Sequence, residues 1–227
     1  MPVGGPPGPR PGTLSHVKTR QPKRCEPCIR DTRRHPMTQT ALRVIRDEHS
    51  ALSAMLSSIP LLLAESKRNG TQPSFDVLRA MLFYIDEFPE RLHHRKETEL
   101  LFPLLRQRNA DCTEALDKLD RDHAAGERAI RALEHALLAY EMMGEARRGA
   151  FEDALSSYLE FYRAHMRLEE DVVLPAAQKV LTEADWQQLD AAFAQNRDPL
   201  TGHTPDQAYE QLFRRIVNSA PAPVGLG

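Results

Sequence analysis

The stretches HHRKETELLFP (residues 93–103) and HMRLEEDVVLP (165–175) decide the reading of this chain. Each carries a histidine, a glutamate four residues on and a proline ten residues on. On a helix, residues four apart share a face and lie roughly 6 Å apart along the axis. Each stretch therefore offers an imidazole and a carboxylate side by side. Upstream, RDEHSAL (46–52) and RDHAAGE (121–127) each supply one histidine, His49 and His123. Each precedes one of the quoted stretches, so the chain reads as two helix pairs of the same design.

The surroundings of these residues are helical throughout. Leu42, Ile45, His49, Leu52, Leu56, Ile59 and Leu63 recur by threes and fours, the spacing of a core-facing seam. A second helix spans about 74–108, with His93, Glu97, Leu101 and Leu104 on one face. A third, expected to open at Asp111 with Glu114 closing a capping box, has the seam Leu116, Leu119, His123, Gly126, Ile130, Leu133, Leu137 and Tyr140. The fourth, from about Glu145 to Lys179, has Phe151, Leu155, Tyr158, Tyr162, His165, Glu169, Val172 and Ala176. Pro60 is expected to kink its helix or end its first part, Pro89 to kink its own, and Pro103 and Pro175 to kink or end theirs. No stretch shows the alternation of a strand. The expected fold is all-α, an antiparallel up-down four-helix bundle over residues 38–180. Residues 181–227 would add short C-terminal helices. Thr182-x-x-Asp185 would open one of them, and Thr204 with Pro205 at the first helical position the other.

The seams contain an anomaly. His49, His93, His123 and His165 occupy core positions, and so do Glu97 and Glu169, with no Lys or Arg beside them on the seams. A carboxylate in an apolar interior costs several kcal/mol unless it is paired or bound to a metal. Four imidazoles and two carboxylates at one level exceed the needs of a closed tetrahedral zinc site. They suit two metal ions with both carboxylates bridging. Imidazole with carboxylate favours iron, with manganese or zinc also fitting the donors. An oxo- or hydroxo-bridge would complete a di-iron centre and leave a position open for a small ligand.

With these residues in place, the chain resembles the hemerythrin-like family, the HHE cation-binding domains, over about Thr38 to Lys179. The resemblance implies a four-helix bundle around a non-haem di-iron centre that binds O2 or a related small ligand. It also exposes a departure. Oxygen-carrying hemerythrins place two histidines four apart on the third helix, whereas here His123 is followed at that distance by Glu127. Glu127 stands either as a further ligand or as a solvated residue, and is counted with the metal set His49, His93, Glu97, His123, Glu127, His165 and Glu169. An anion there would favour ferric iron and weaken the case for reversible oxygen carriage. His94, about 100° around the helix from His93, is expected to face solvent or to stand behind the ligands. Tyr162 is expected in the core, and Gly126 where a neighbour approaches closely.

Composition limits the function classes. The chain has 227 residues and a formal net charge of −2. Residues 1–36 hold eight Lys or Arg against two Asp or Glu, net +6, which leaves 22 against 30, net −8, for the rest. An acidic body argues against a nucleic-acid groove, and no apolar run approaches the roughly 18 residues of a membrane span. The start MPVGGPPGPRPG lacks the apolar stretch of a signal peptide. Together with an odd cysteine count this points to the cytoplasm. Residues 1–37, rich in Pro, Gly and Arg, are expected to be disordered. The lone CEPC at Cys25–Cys28 is a weak metal or redox signal. The expected function is O2 or NO binding for sensing, scavenging or storage. The alternative is an enzyme reducing peroxide or NO, or delivering iron for iron–sulfur repair, with a separate protein as electron donor. The oligomeric state is not legible.

Overall fold

A computed structural model describes residues 1–8 and 39–226. The chain divides into two compact units, residues 1–37 and 38–227. Of the first unit only residues 1–8 are described, and they carry no regular structure. The CEPC motif and the expected disorder of the extension lie outside the described residues.

The second unit is helical, with no strand among the described residues. Helix α1 runs Thr40–Asn69, and Gly70 closes it at φ 63°, a left-handed cap that glycine adopts without strain. Pro60 sits inside α1 and does not end it. Helix α2 spans 75–108, α3 is Thr113–Met143 and α4 spans 148–180. Short connections force neighbouring helices to run antiparallel, giving the expected four-helix bundle with extra helices at the C-terminus.

Two of the four helices change their winding where the site lies. In α2, residues Asp86–His93 and Glu97–Leu101 are π-helical, and in α4 so are Glu169–Val173. The N–H groups of His94, Phe102 and Leu174 reach back five residues, to Pro89, Glu97 and Glu169. Pro103 and Pro175 follow directly after the last two of these bonds. Lacking an N–H, they cannot continue an α ladder themselves, but neither helix ends there. The α-helical winding resumes and runs to Arg108 and Val180.

This widened turn corrects the seams. All eight expected positions of α3 are buried. In α4, Val172 is 42 % exposed while Val173 and Ala177 are buried, a shift of one residue beyond Glu169. In α2, Leu105 replaces Leu104 in the interior for the same reason. A π turn takes one more residue than an α turn, so a seam extrapolated through it arrives one residue early.

Helix α3 opens differently from the capping box expected at Asp111. A short 3₁₀ turn, Ala110–Cys112, precedes it, and Asn109 Oδ1 accepts from the Asp111 N–H at 3.0 Å. Beyond the bundle, α5 is Glu183–Phe193, opened by the expected Thr182–Asp185 capping box. Helix α6 is Glu210–Ser219. It starts later than Pro205 suggests, since residues 203–206 are irregular and 207–209 form a turn.

Both extra helices pack on the bundle. Trp186, Leu189 and Phe193 of α5 join an apolar layer with Leu42, Ile45, Leu105, Leu116 and Val173. Phe213 and Ile216 of α6 join a second layer with Ile59, Tyr84, Leu133 and Phe151. Four residues of the opening anomaly, His49, Glu97, His123 and Glu169, belong to neither layer; along each helix they fall between residues of one layer and residues of the other. No described helix is long and apolar enough to cross a membrane.

Candidate metal centre

His49, Glu97, His123, His165 and Glu169 are buried from all four helices, and Glu97 and Glu169 are wholly inaccessible. His49 Nε2 lies 3.3 Å from Glu169 Oε2, and His93 Nε2 lies 2.8 Å from Glu97 Oε1. His123 Nε2 lies 3.5 Å from the other Glu97 oxygen, and His165 Nε2 lies 3.9 Å from Glu169 Oε2. None of these contacts satisfies the atoms concerned. Among the described residues, eleven buried side-chain N or O atoms lack a hydrogen-bond partner. Nine of them belong to His49, His93, Glu97, His123, His165 and Glu169. Orphans at this density are expensive and uncommon. They are explained by a cation that takes their lone pairs.

The donor atoms fall into two groups, each with all its atoms within 4.8 Å of one another. His49, His93, Glu97 and Glu169 form one; His94, Glu97, His123 and His165 form the other. Glu97 belongs to both. The two groups are consistent with a dinuclear site.

His94 does not face solvent, the first of the two places expected for it. It is 3 % exposed, stacked on His123 with ring centroids 4.2 Å apart and on Tyr162 at 5.8 Å. The π-helical winding up to His93 reduces the turn per residue, so the two adjacent histidines both face inward. Glu127 is exposed and stands in neither group. Tyr162 is buried and hydrogen-bonds Glu90, a residue that sequence reasoning passed over. A signal was available, because Glu90, His93, His94 and Glu97 stand at i, i+3, i+4 and i+7, the full stripe of an inward helix face.

Outer partners fix the rings. His93 Nδ1 lies 2.7 Å from Glu48 Oε2, His49 Nδ1 2.9 Å from Glu170 Oε1 and His94 Nδ1 3.1 Å from Glu90 Oε2. Thr98 Oγ1 lies 2.8 Å from His123 Nδ1. An imidazole that donates through Nδ1 keeps Nε2 as a free acceptor for a metal. Glu90 also accepts from Tyr158, at 3.0 Å, and from Tyr162. Gly126 makes room for this group, since a Cβ there would stand 2.7 Å from the Tyr162 hydroxyl and 2.8 Å from the Glu90 carboxylate.

The charge balance tells the same story. Burial pushes Glu97 up to about 8, reinforced by its neighbour Glu169. Burial acts against ionisation of Glu169 too, but hydrogen bonding and attraction from His49 outweigh it and hold Glu169 low. Burial disfavours a charge on His49 as well, yet Glu169 and Glu170 raise it to about 9. Burial lowers His123 to about 3, with His165 adding to the effect, and likewise drives His94 well down. Left to themselves, the carboxylates are compensated only by protons. His94 and His123 are held neutral, the state in which an imidazole binds a cation. The donor set fits two metal ions.

The family model described as Hemerythrin HHE cation binding domain matches residues 40–177. The chain belongs to this family. No curated protein and no solved structure matched it. The hemerythrin match covers all four bundle helices to within three residues of the end of α4, and α5 and α6 lie beyond it. Within the matched residues, His94 of the second helix, and not Glu127 of the third, stands with Glu97, His123 and His165 in the second group.

Proposed function

We propose that the protein is a non-haem di-iron protein that binds O2 or a related small ligand such as NO or peroxide, for sensing, scavenging or storage. The observation that carries this reading is the set of orphaned Nε2 and carboxylate atoms gathered in two groups around Glu97. Two iron ions held there would supply an open coordination position for a diatomic molecule.

The chain's own residues do the remainder. His49 and His93 would hold one ion, His94, His123 and His165 the other, with Glu97 between them and Glu169 on the first. Glu48, Glu170, Glu90 and Thr98 orient the rings. Leu52, Phe88 and Leu92 wall a cavity of about 10 Å³ beside His49 and His93, room for about one water-sized molecule. Glu48, Asn196, Arg197 and Asp198 line it as well, so polar and apolar walls meet there.

With neutral His94 rather than anionic Glu127 in the second group, the bias toward ferric iron is absent, and this favours ligand binding over oxidation chemistry. Metal analysis of protein expressed in iron-replete medium, with absorption spectra before and after anaerobic reduction and re-exposure to O2, tests the reading. A stable reversible adduct supports it. Catalytic consumption of peroxide or NO would favour the enzyme, with a separate protein as electron donor. Protein unable to take up stoichiometric metal would end both.

A further inference from the structure

The C-terminal helices beyond the hemerythrin match reach the site through one residue. Asn196, in the turn after α5, is 7 % exposed. Its Nδ2 donates to both carboxylate oxygens of Glu48, at 2.8 and 2.9 Å. Glu48 in turn holds His93 Nδ1 at 2.7 Å. The Asn196 Oδ1 accepts from Lys96 Nζ, which also donates to the Ala192 carbonyl at 2.8 Å. Every polar group of the amide is thus used, and its two ends cannot be exchanged without setting donor against donor.

The arrangement joins three elements around one ring: α1 through Glu48, α2 through His93 and Lys96, and the C-terminal segment through Asn196. The segment is itself anchored. Ala41 N–H donates to Asp190 at 2.7 Å, Tyr84 Oη donates to Asp198 at 2.6 Å, and Phe193 is wholly buried. Asn196 also stands in the wall of the small cavity beside His49 and His93.

We infer that Asn196 is a positioning residue of the metal centre, holding Glu48 so that Glu48 fixes the ring of His93 with its Nε2 toward Glu97. The inference rests on the di-iron reading for its role, and on the hydrogen-bond chain for its geometry. Without Asn196, Glu48 loses the amide that holds both its carboxylate oxygens and is freer to leave the ring. His93 would then rotate among orientations that do not ligate. An outer partner of a metal-bound histidine typically contributes about 10- to 100-fold in metal affinity.

The test uses the full chain with Asn196→Ala and with Asn196→Asp, which keeps the shape but turns a donor toward Glu48 into an acceptor. Iron release to a chelator and the ¹⁵N shifts of the His93 ring in metal-free protein are measured. His165, which has no tie to Asn196, serves as internal control. Helicity is expected to be kept, iron release to quicken by about 10- to 100-fold, and the His93 signals to move while those of His165 stay. In a Glu48→Gln background, Asn196→Asp is expected to add little further change. Unchanged release and unchanged His93 shifts would overturn the inference, as would an undiminished effect in the Glu48→Gln background. Should the wild-type chain bind no iron, the di-iron reading fails by itself, and the His93 shifts still decide whether Asn196 orients the ring.

Discussion

His94 and His123 lie face to face, ring centroids 4.2 Å apart and planes inclined by 13°. Two imidazoles stacked this closely in an apolar interior cannot both be protonated, and burial lowers both. Their outer nitrogens are held by Glu90 and lie beside Thr98, which leaves the inner ones for a cation.

His94→Ala is expected to reduce bound metal from about two ions per chain to about one, because the group with His123, His165 and Glu97 loses a donor. Glu127→Ala is expected to leave the stoichiometry as it is, since Glu127 is exposed and outside both groups. Metal-to-protein ratios after gel filtration check both. Two ions retained by the His94 variant would return His94 to a merely structural role.

Glu97 and Glu169 differ in consequence. Glu97 belongs to both donor groups and Glu169 to one. Glu97→Ala should therefore lose both ions, whereas Glu169→Ala should keep about one on the side of the three histidines. The same metal ratios, read beside the iron absorption spectrum, distinguish them; equal loss in both variants would make Glu169 a second bridge.

Gly126→Ala sets two magnitudes against each other. Alanine gains up to about 1 kcal/mol of helix propensity over glycine. Its Cβ, however, would stand 2.7 Å from the Tyr162 hydroxyl and 2.8 Å from Glu90, and overpacking of this kind costs about 1–3 kcal/mol. A net loss of stability is expected, visible as a lower melting temperature by circular dichroism. A raised melting temperature would mean that Glu90 and Tyr162 yield freely.

The stability of the metal-free protein should carry the titration of Glu90. Burial raises this carboxyl from 4.5 to about 7, against the opposing hydrogen bonds of Tyr162 and Tyr158. Between those values the folded chain binds more protons than the unfolded one, so stability falls as pH rises. The penalty is absent below 4.5 and complete above about 7, of the order of 3 kcal/mol. Glu90→Gln should flatten this part of the pH profile in chemical denaturation. A wild-type profile that runs parallel to the variant's would show that Glu90 ionises without penalty in the folded state.

Local periodicity by itself determined much of this protein. The seams of α1 and α3 follow from threes and fours in the sequence, and each of their positions is buried. The same spacing set His49, Glu97, His123 and Glu169 in the interior, where carboxylates without cationic neighbours implied a metal. The signal is legible because a straight α-helix repeats faithfully, so each seam follows from its own residues.

Only the tertiary structure decided where that regularity fails. The π-helical turns beside His93, Glu97 and Glu169 shift the later seam residues by one, and they turn His94 inward while Glu127 stays outside. Their cost is met by packing and, in the proposed reading, by metal ligation from other helices, which no local pattern encodes. The links from Glu90 to Tyr158 and from Asn196 to Glu48 join residues 68 and 148 positions apart. Contacts at such separations exist only once the chain has folded, and so the outer shell of the centre could be read only from the folded structure.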